Sequence, residues 1–326
     1  MKKPKLLLLA AAALLVACQS EDVNENPTAT YALGELKMVE VDIPGVDGLK
    51  GNGFQASKGK NLKGAATQIN QMLEPYGVQL EKMEYYSIDG AGKTVFFSDR
   101  GNKQLSSDYV PNDPRNLGGL AVPYLIDGTQ LNTASGFNTL QPIVDVMDTW
   151  ANVTCSSGLD IPFGGVSGAD IGFVSNVFFG FGGSNGFFPG VIVHAGTLPK
   201  AFFDAIAPGG GNGILGVTFT LTWTDDINGD GKGDVAIKEI YYNDAFNWQD
   251  RVATGTGIDF QTVALHEVGH ALSQAHFGKL SRTEANGKLH FSPRALMNAG
   301  YTGVNRVVEK TDQAGHCSNW SNWPNN

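Results

Sequence analysis

Residues 261–272 carry apolar side chains at helical spacing, and inside that run His266 and His270 stand four positions apart with Glu267 beside the first. At 3.6 residues per turn both imidazoles fall on one face of one helix, where they can meet a single metal ion. Glu267 can hydrogen-bond a water on that ion and take its proton, which is the chemistry the H-E-x-x-H spacing serves in zinc hydrolysis. His276 follows six residues after His270, enough chain to leave the helix and bring back a third imidazole. Three protein ligands leave the fourth tetrahedral position to water, the pattern of a catalytic rather than a structural zinc. The alternative, a surface helix that happens to carry histidines, leaves an acid and three histidines in an apolar run without a purpose. A chain built around such a site needs a helix held on a stable frame and ended between His270 and His276.

More of the chain agrees with one known architecture. The run His266-Glu267-Val268-Gly269-His270-Ala271-Leu272-Ser273-Gln274-Ala275-His276 resembles the metzincin clan of zinc metalloproteases, whose helix reads H-E-x-x-H-x-x-G-x-x-H, and within it the matrixins. Ala295-Leu296-Met297 resembles the family's Met-turn beneath the zinc, and Tyr301 matches the tyrosine that lines the S1′ pocket. Val144 to Val153 looks like the matrixin helix A, Ala169 to Val174 like a central strand, and Gly190 to Ala195 like the edge strand that pairs with substrate. Asp312 is similar to the aspartate that ties down the Met-turn. The resemblance covers roughly residues 121 to 320. It implies an α+β metzincin-like catalytic domain: a twisted mixed sheet with an edge strand, helix A, a zinc-binding helix and a Met-turn. It also implies one catalytic Zn2+ on His266, His270 and His276, Glu267 as general base, and cleavage of an extended polypeptide.

Three departures qualify the match. Ser273 stands where the family has glycine, so it must either tolerate an unfavourable backbone geometry at ~1 kcal/mol or shift the turn. Of the residues that hold a second, structural zinc in matrix metalloproteases only His194 has a counterpart, and Tyr241-Tyr242 stands where a histidine is expected, so no structural zinc is predicted. His194 reads as a hydrogen-bonded edge-strand residue, and His290 and His316 as surface residues. The family's cysteine switch is missing, so a latent form would need another blocking ligand, for instance Asp113.

The N-terminus points to export. Lys2, Lys3 and Lys5 precede an apolar stretch, Leu6 to Val16, too short to span a bilayer. It ends Leu15-Val16-Ala17-Cys18, which resembles the lipobox of bacterial lipoproteins. The expectation is a signal peptide over 1–17, lipid on Cys18, and a chain anchored to the bacterial outer membrane or cell surface. Among three cysteines this leaves Cys155 and Cys317, in a compartment that permits disulfides; pairing is expected, with two separate buried thiols as the alternative. Residues 18–54 read as a polar tether without a core. Residues 55–105 read as a small N-terminal α+β region that could be a pro-segment, with a helix over Leu62 to Leu73 and a hairpin of Val78 to Tyr86 and Lys93 to Phe97. Residues 106–120 read as linker and 121–326 as the metalloprotease domain. The net charge of −9, without any Lys/Arg run, makes nucleic acid a poor partner. A monomer is expected.

Asp226, Asn228, Asp230 and Asp234 occupy positions 1, 3, 5 and 9 of a loop with Gly231 at position 6, the front of an EF-hand-type calcium loop. Position 12 is Ile237 instead of a bidentate Glu, and Val217 to Trp223 and Val235 to Tyr242 alternate like hairpin arms. A Ca2+-binding hairpin tip and a simple Gly/Asp-rich turn are both open. In the Gly/Phe-rich stretch Phe178 to Pro189, Phe187 and Phe188 either contact apolar substrate or plug the sheet. The reading as a whole is a zinc endopeptidase. The alternatives are a metzincin-fold binding module that has lost catalysis and a zinc hydrolase of a non-peptide amide.

Overall fold

The structure, a computed structural model, describes residues 31, 33–42, 62–97, 107–117, 119–250 and 257–325. The export signal and Cys18 lie outside the described residues. In chain order the elements are β1 (Val39–Glu40), α1 (Leu62–Leu73), β2 (Val78–Ser87), β3 (Lys93–Phe96), β4 (Tyr124–Asp127), α2 (Leu140–Ala151), β5 (Phe163–Ser167) and α3 (Phe173–Val177). There follow β6 (Gly186–Phe187), β7 (Ile192–Leu198), α4 (Lys200–Ile206), α5 (Gly210–Gly213), β8 (Ile214–Trp223), β9 (Val235–Asn243), β10 (Trp248–Gln249) and β11 (Ile258–Asp259). The last are α6 (Phe260–Ala271), β12 (Lys279–Arg282), β13 (Leu289–Ser292) and α7 (Lys310–Trp320).

The frame is a mixed seven-stranded sheet in the order β3-β2-β8-β9-β7-β4-β5. β5, β4, β7 and β9 run parallel to their neighbours in that group, and β8, β2 and β3 continue the sheet antiparallel. Helices cover both faces, which makes the chain α+β. Along β9 the side chains alternate: Ile240 and Tyr242 join Trp150, Phe260 and Val268 of α2 and α6 on one face. Ile237 and Tyr241 join Ile69, Phe173 and Phe202 of α1, α3 and α4 on the other. A strand buried on both faces loses its in-out hydrophobic contrast, and each such Leu, Ile or Phe adds about 1.5–3 kcal/mol of burial.

Helix α1 and both hairpins (β2–β3 and β8–β9) form where alternation and helical spacing place them. Other expectations need correction. The strand containing Gly190 to Ala195 is β7, which lies between β4 and β9 in the interior; the edges are β3 and β5. Ala169 to Val174 is a loop running into α3 instead of a strand, because side chains take its amides: Asp127 Oδ2 accepts from Ile171 N at 2.9 Å and Asp170 Oδ1 from Gly172 N at 3.2 Å.

In the N-terminal region, β2 pairs along β8 from Val78↔Trp223 to Ser87↔Ile214, so β2 and β3 extend the same sheet. Part of the tether packs as well: Leu36 and Val41 are buried in the core and β1 pairs with β6. In the expected linker, Tyr109 is buried, and Asp108 exchanges backbone hydrogen bonds with Gly233 and Val235. Phe187 is 1% exposed and serves as core, as one of its two readings held. Cys155 and Cys317 form a disulfide that joins the end of α2 to α7.

Candidate metal centre

Helix α6 begins at Asp259, whose carboxylate accepts from Thr262 N at 3.0 Å and from its hydroxyl at 2.5 Å, the N-cap arrangement that satisfies the free amides of a first turn. Arg306 holds the same carboxylate through Nε at 3.0 Å and through a second nitrogen. The helix is buried on all sides, and it crosses α2 closely enough for Trp150 Nε1 to donate to Leu265 O at 2.9 Å. Gly269 permits the closest approach: a Cβ there would lie 2.4 Å from Met297 Sδ.

The helix stops where the ligand spacing requires. Ser273 N donates to His270 O and Gln274 N to Gly269 O, both at 2.9 Å, closing a Schellman turn with Ser273 at φ 66°. The serine therefore adopts the left-handed geometry that usually falls to glycine at this position of a turn. From it the chain doubles back to His276. His270 Nε2 lies 3.1 Å from His266 Nε2 and 3.2 Å from His276 Nε2.

Two of the rings are fixed by carbonyls. His266 Nδ1 donates to Leu296 O at 2.8 Å and His270 Nδ1 to Gln274 O at 2.7 Å, which leaves both Nε2 lone pairs facing the shared centre. Burial lowers the pKa of all three histidines to about 3, so the rings are neutral and able to ligate near pH 7. A tetrahedral ion bound at about 2.0–2.1 Å sets its nitrogen ligands ~3.3 Å apart. The observed spacings fit, and the three histidines could hold a metal ion.

Asp312 and Tyr301 also fall around this centre. Asp312 of α7 accepts from Leu296 N and Met297 N, both at 3.0 Å, and so holds the turn whose carbonyl orients His266. Tyr301 accepts through its hydroxyl from Asp259 N at 3.1 Å, and its own amide donates to Ser87 O at 2.8 Å.

Glu267 is wholly buried. Thr218 of β8 donates to its Oε2 at 2.6 Å, and Oε1 has no hydrogen-bond partner. Burial pushes the Glu267 carboxyl well above the ordinary range; the Glu84 charge adds to this, while the Thr218 hydroxyl and the Tyr86 amide oppose it. β8 reaches Glu267 through Gly216, where a Cβ would lie 2.9 Å from the Glu267 side chain.

Several residues of the site were not anticipated, and most come from β2. Tyr86 stacks on His266 with ring centroids 3.9 Å apart. Glu84 lies 3.6 Å from His270 Nδ1 and 2.8 Å from the Lys82 ammonium. Burial alone would raise the Glu84 pKa, but the Lys82 charge and the nearby histidines hold it well below the carboxylate range. Lys238 of β9, its pKa lowered by burial to about 7, donates to Thr220 Oγ1 at 2.9 Å and to His270 O at 3.2 Å. The available signal was the alternation of Lys82, Glu84 and Tyr86 with Met83 and Tyr85, which puts charge on one buried face of a strand. Under this cover His266, Glu267 and His270 have no exposed surface.

Other predicted residues lie elsewhere. His194 is buried, with Nδ1 3.1 Å from Tyr242 Oη, so it is hydrogen-bonded as expected but on an interior strand. His290 is exposed, whereas His316, expected on the surface, is buried against Trp150 and bonded to Ser156 Oγ at 2.8 Å. Asp113 is paired with Arg115 instead of approaching the histidines.

The calcium reading is not supported. Asp234 pairs with Arg115 and accepts from Ile227 N, so a guanidinium already neutralises it. Asp226 accepts from Gly229 N and Gly231 N, Asn228 from Asp230 N, and Asp230 from Lys232. Among the described residues only the three histidines gather within reach of one ion.

Compared with protein-family models the chain matches none, and no curated protein matches it.

Proposed function

We propose that the chain is a zinc-dependent endopeptidase of matrixin-like architecture, exported and anchored through lipid on Cys18. The observation that carries the reading is the trio of imidazoles, with His270 Nε2 3.1 Å from His266 Nε2 and 3.2 Å from His276 Nε2, beside a buried carboxyl with one unpartnered oxygen. Met297 under Gly269, and Asp312 on the turn at 296–297, support the metzincin-like part of the proposal.

Zinc at the three histidines would supply a Lewis acid for the substrate carbonyl and lower the pKa of a water. The protein's own groups do the rest. Leu296 O and Gln274 O keep the rings of His266 and His270 oriented. Thr218 fixes one oxygen of Glu267 and leaves the other to accept the proton of the attacking water and return it to the departing amine. The low-dielectric surroundings favour the neutral acid until a cation is near, so Glu267 works as a base only with the metal in place.

β2 bears on how a substrate arrives. It occupies the outer side of β8, the strand that touches Glu267, so an extended polypeptide reaches Glu267 along that strand only if β2 withdraws. This favours a pro-segment role for the N-terminal residues. The same closure favours the second reading, a binding module without catalysis.

Cleavage of casein or gelatin by the purified protein decides between them. Cleavage abolished by a chelator and by Glu267→Ala is expected. A wild-type protein that binds zinc but cuts nothing, either whole or after proteolytic removal of residues before 121, contradicts the endopeptidase.

A further inference from the structure

Past His276 the chain forms the β12–β13 hairpin, paired from Lys279↔Ser292 to Arg282↔Leu289. Between this hairpin and Tyr301 lies a cavity of about 480 Å3 that the reading so far leaves without an occupant. Its apolar walls include Ile88, Phe291 and Tyr301, and its polar lining includes Lys288, His290 and Arg294. Among the described residues no carboxylate lines it.

Arg294 is unusual in this chain. Of the four described arginines, Arg115 and Arg306 are locked to carboxylates, and Arg282 donates to Asp89 O. Among the described residues Arg294 has neither a hydrogen bond nor an ion pair, and nor has the Lys288 ammonium. In a chain of net charge −9, two unpaired cations converging on one cavity form a local reversal of sign.

The backbone that carries Arg294 is fixed. The next residue, Ala295, donates to Asn298 Oδ1 at 2.8 Å, and Asp312 holds the two amides beyond it. A guanidinium on a rigid segment is pre-organised for bidentate capture of a carboxylate.

The cavity also stands close to the metal centre. Arg294 lies two residues before Leu296, whose carbonyl accepts from His266 Nδ1 at 2.8 Å. That separation is spanned by roughly three residues of extended chain at ~3.3 Å per residue.

We propose that this cavity is the specificity pocket for an acidic side chain, Asp or Glu, within three residues of the bond that is cut, with Arg294 and Lys288 as its charge partners. Phe291 packs on the side chain's methylene carbons, and the carboxylate meets the two cations. This rests on the endopeptidase reading for the cleavage, and on the cavity alone for the preference for acid.

Two measurements on the full chain test it. In the first, a mixture of peptides is digested and the cut sites are mapped by mass spectrometry. Asp and Glu should be enriched at one fixed position, and Lys288→Glu with Arg294→Glu should transfer that enrichment to Lys and Arg. In the second, the anisotropy of a labelled peptide containing Glu is compared with its Gln twin on Glu267→Ala protein. The Glu peptide should bind roughly five- to tenfold more tightly, as two exposed charge contacts allow, and the advantage should vanish in the doubly reversed variant.

Peptides cut without preference for acid, or with a preference that charge reversal leaves in place, overturn the pocket and leave the endopeptidase standing. If nothing is cut while the Glu peptide keeps its advantage, the acid pocket stands and the endopeptidase fails. Equal binding of the Glu and Gln peptides overturns the pocket whatever the activity.

Discussion

Ser273 holds the αL position of the turn that brings His276 to the metal centre, at φ 66°, with its buried hydroxyl unpartnered. A β-carbon there is strained and a lone hydroxyl is poorly placed, so Ser273→Gly should raise stability by up to about 1 kcal/mol in urea unfolding. A loss of stability would mean that the hydroxyl has a role that the hydrogen bonds do not reveal. Asp312 acts in the opposite sense. Asp312→Ala leaves the amides of Leu296 and Met297 buried without acceptors and should cost about 2–4 kcal/mol. Because Leu296 O orients His266, metal affinity should fall together with stability; unchanged affinity would show that the turn keeps its shape without the aspartate. These two residues were legible in the sequence because each sits at a fixed offset from a motif. Tyr86 and Glu84 were not, because they lie some 180 positions upstream and reach the histidines only through sheet pairing.

Helix α7 carries His316, whose pKa burial lowers to about 4 against an ordinary value of 6.5. The unfolded chain binds a proton at pH values where the folded ring does not, so His316 contributes stability that is complete above pH 6.5 and is lost as the pH falls toward 4. Urea unfolding of His316→Asn should therefore show a shallower loss between pH 6.5 and 4 than the wild type; identical slopes would contradict the buried, neutral ring. The surface reading of His316 failed because α7 has almost no apolar stripe: Asp312, His316 and Trp320, four residues apart, form its buried face. Strand β7 failed as an edge strand for a related reason. Its short apolar run Val191-Ile192-Val193 is what a strand buried on both faces shows, and its neighbour β9 arrives from more than forty residues later. Local signals were sufficient for α1, β2 and β3, where alternation and a tight turn decide the structure.

Across the whole molecule, one sheet carries segments from residue 78 to residue 243, so the N-terminal strand, the core strands and the metal helix belong to one frame. The disulfide Cys155–Cys317, 162 residues apart in sequence, closes that frame by tying α7 to the end of α2. Replacing both cysteines by serine should lower stability by up to ~5 kcal/mol, read from the shift in urea midpoint, and a negligible shift would mean that packing alone fixes α7. The three histidines are legible in the sequence because they lie within eleven residues; the polar, Gly- and Pro-rich stretches before residue 121 carry no such local sign of the packing they reach at the sheet margin. Everything functional depends on the trio of imidazoles, and the most direct test is metal content joined to X-ray absorption at the zinc edge, on wild type and on His266→Ala. We expect one zinc per chain with three imidazole ligands in the wild type, and its loss in the variant. A wild-type protein without zinc, or a variant that keeps its zinc with the ligand count unchanged, would contradict the centre described above.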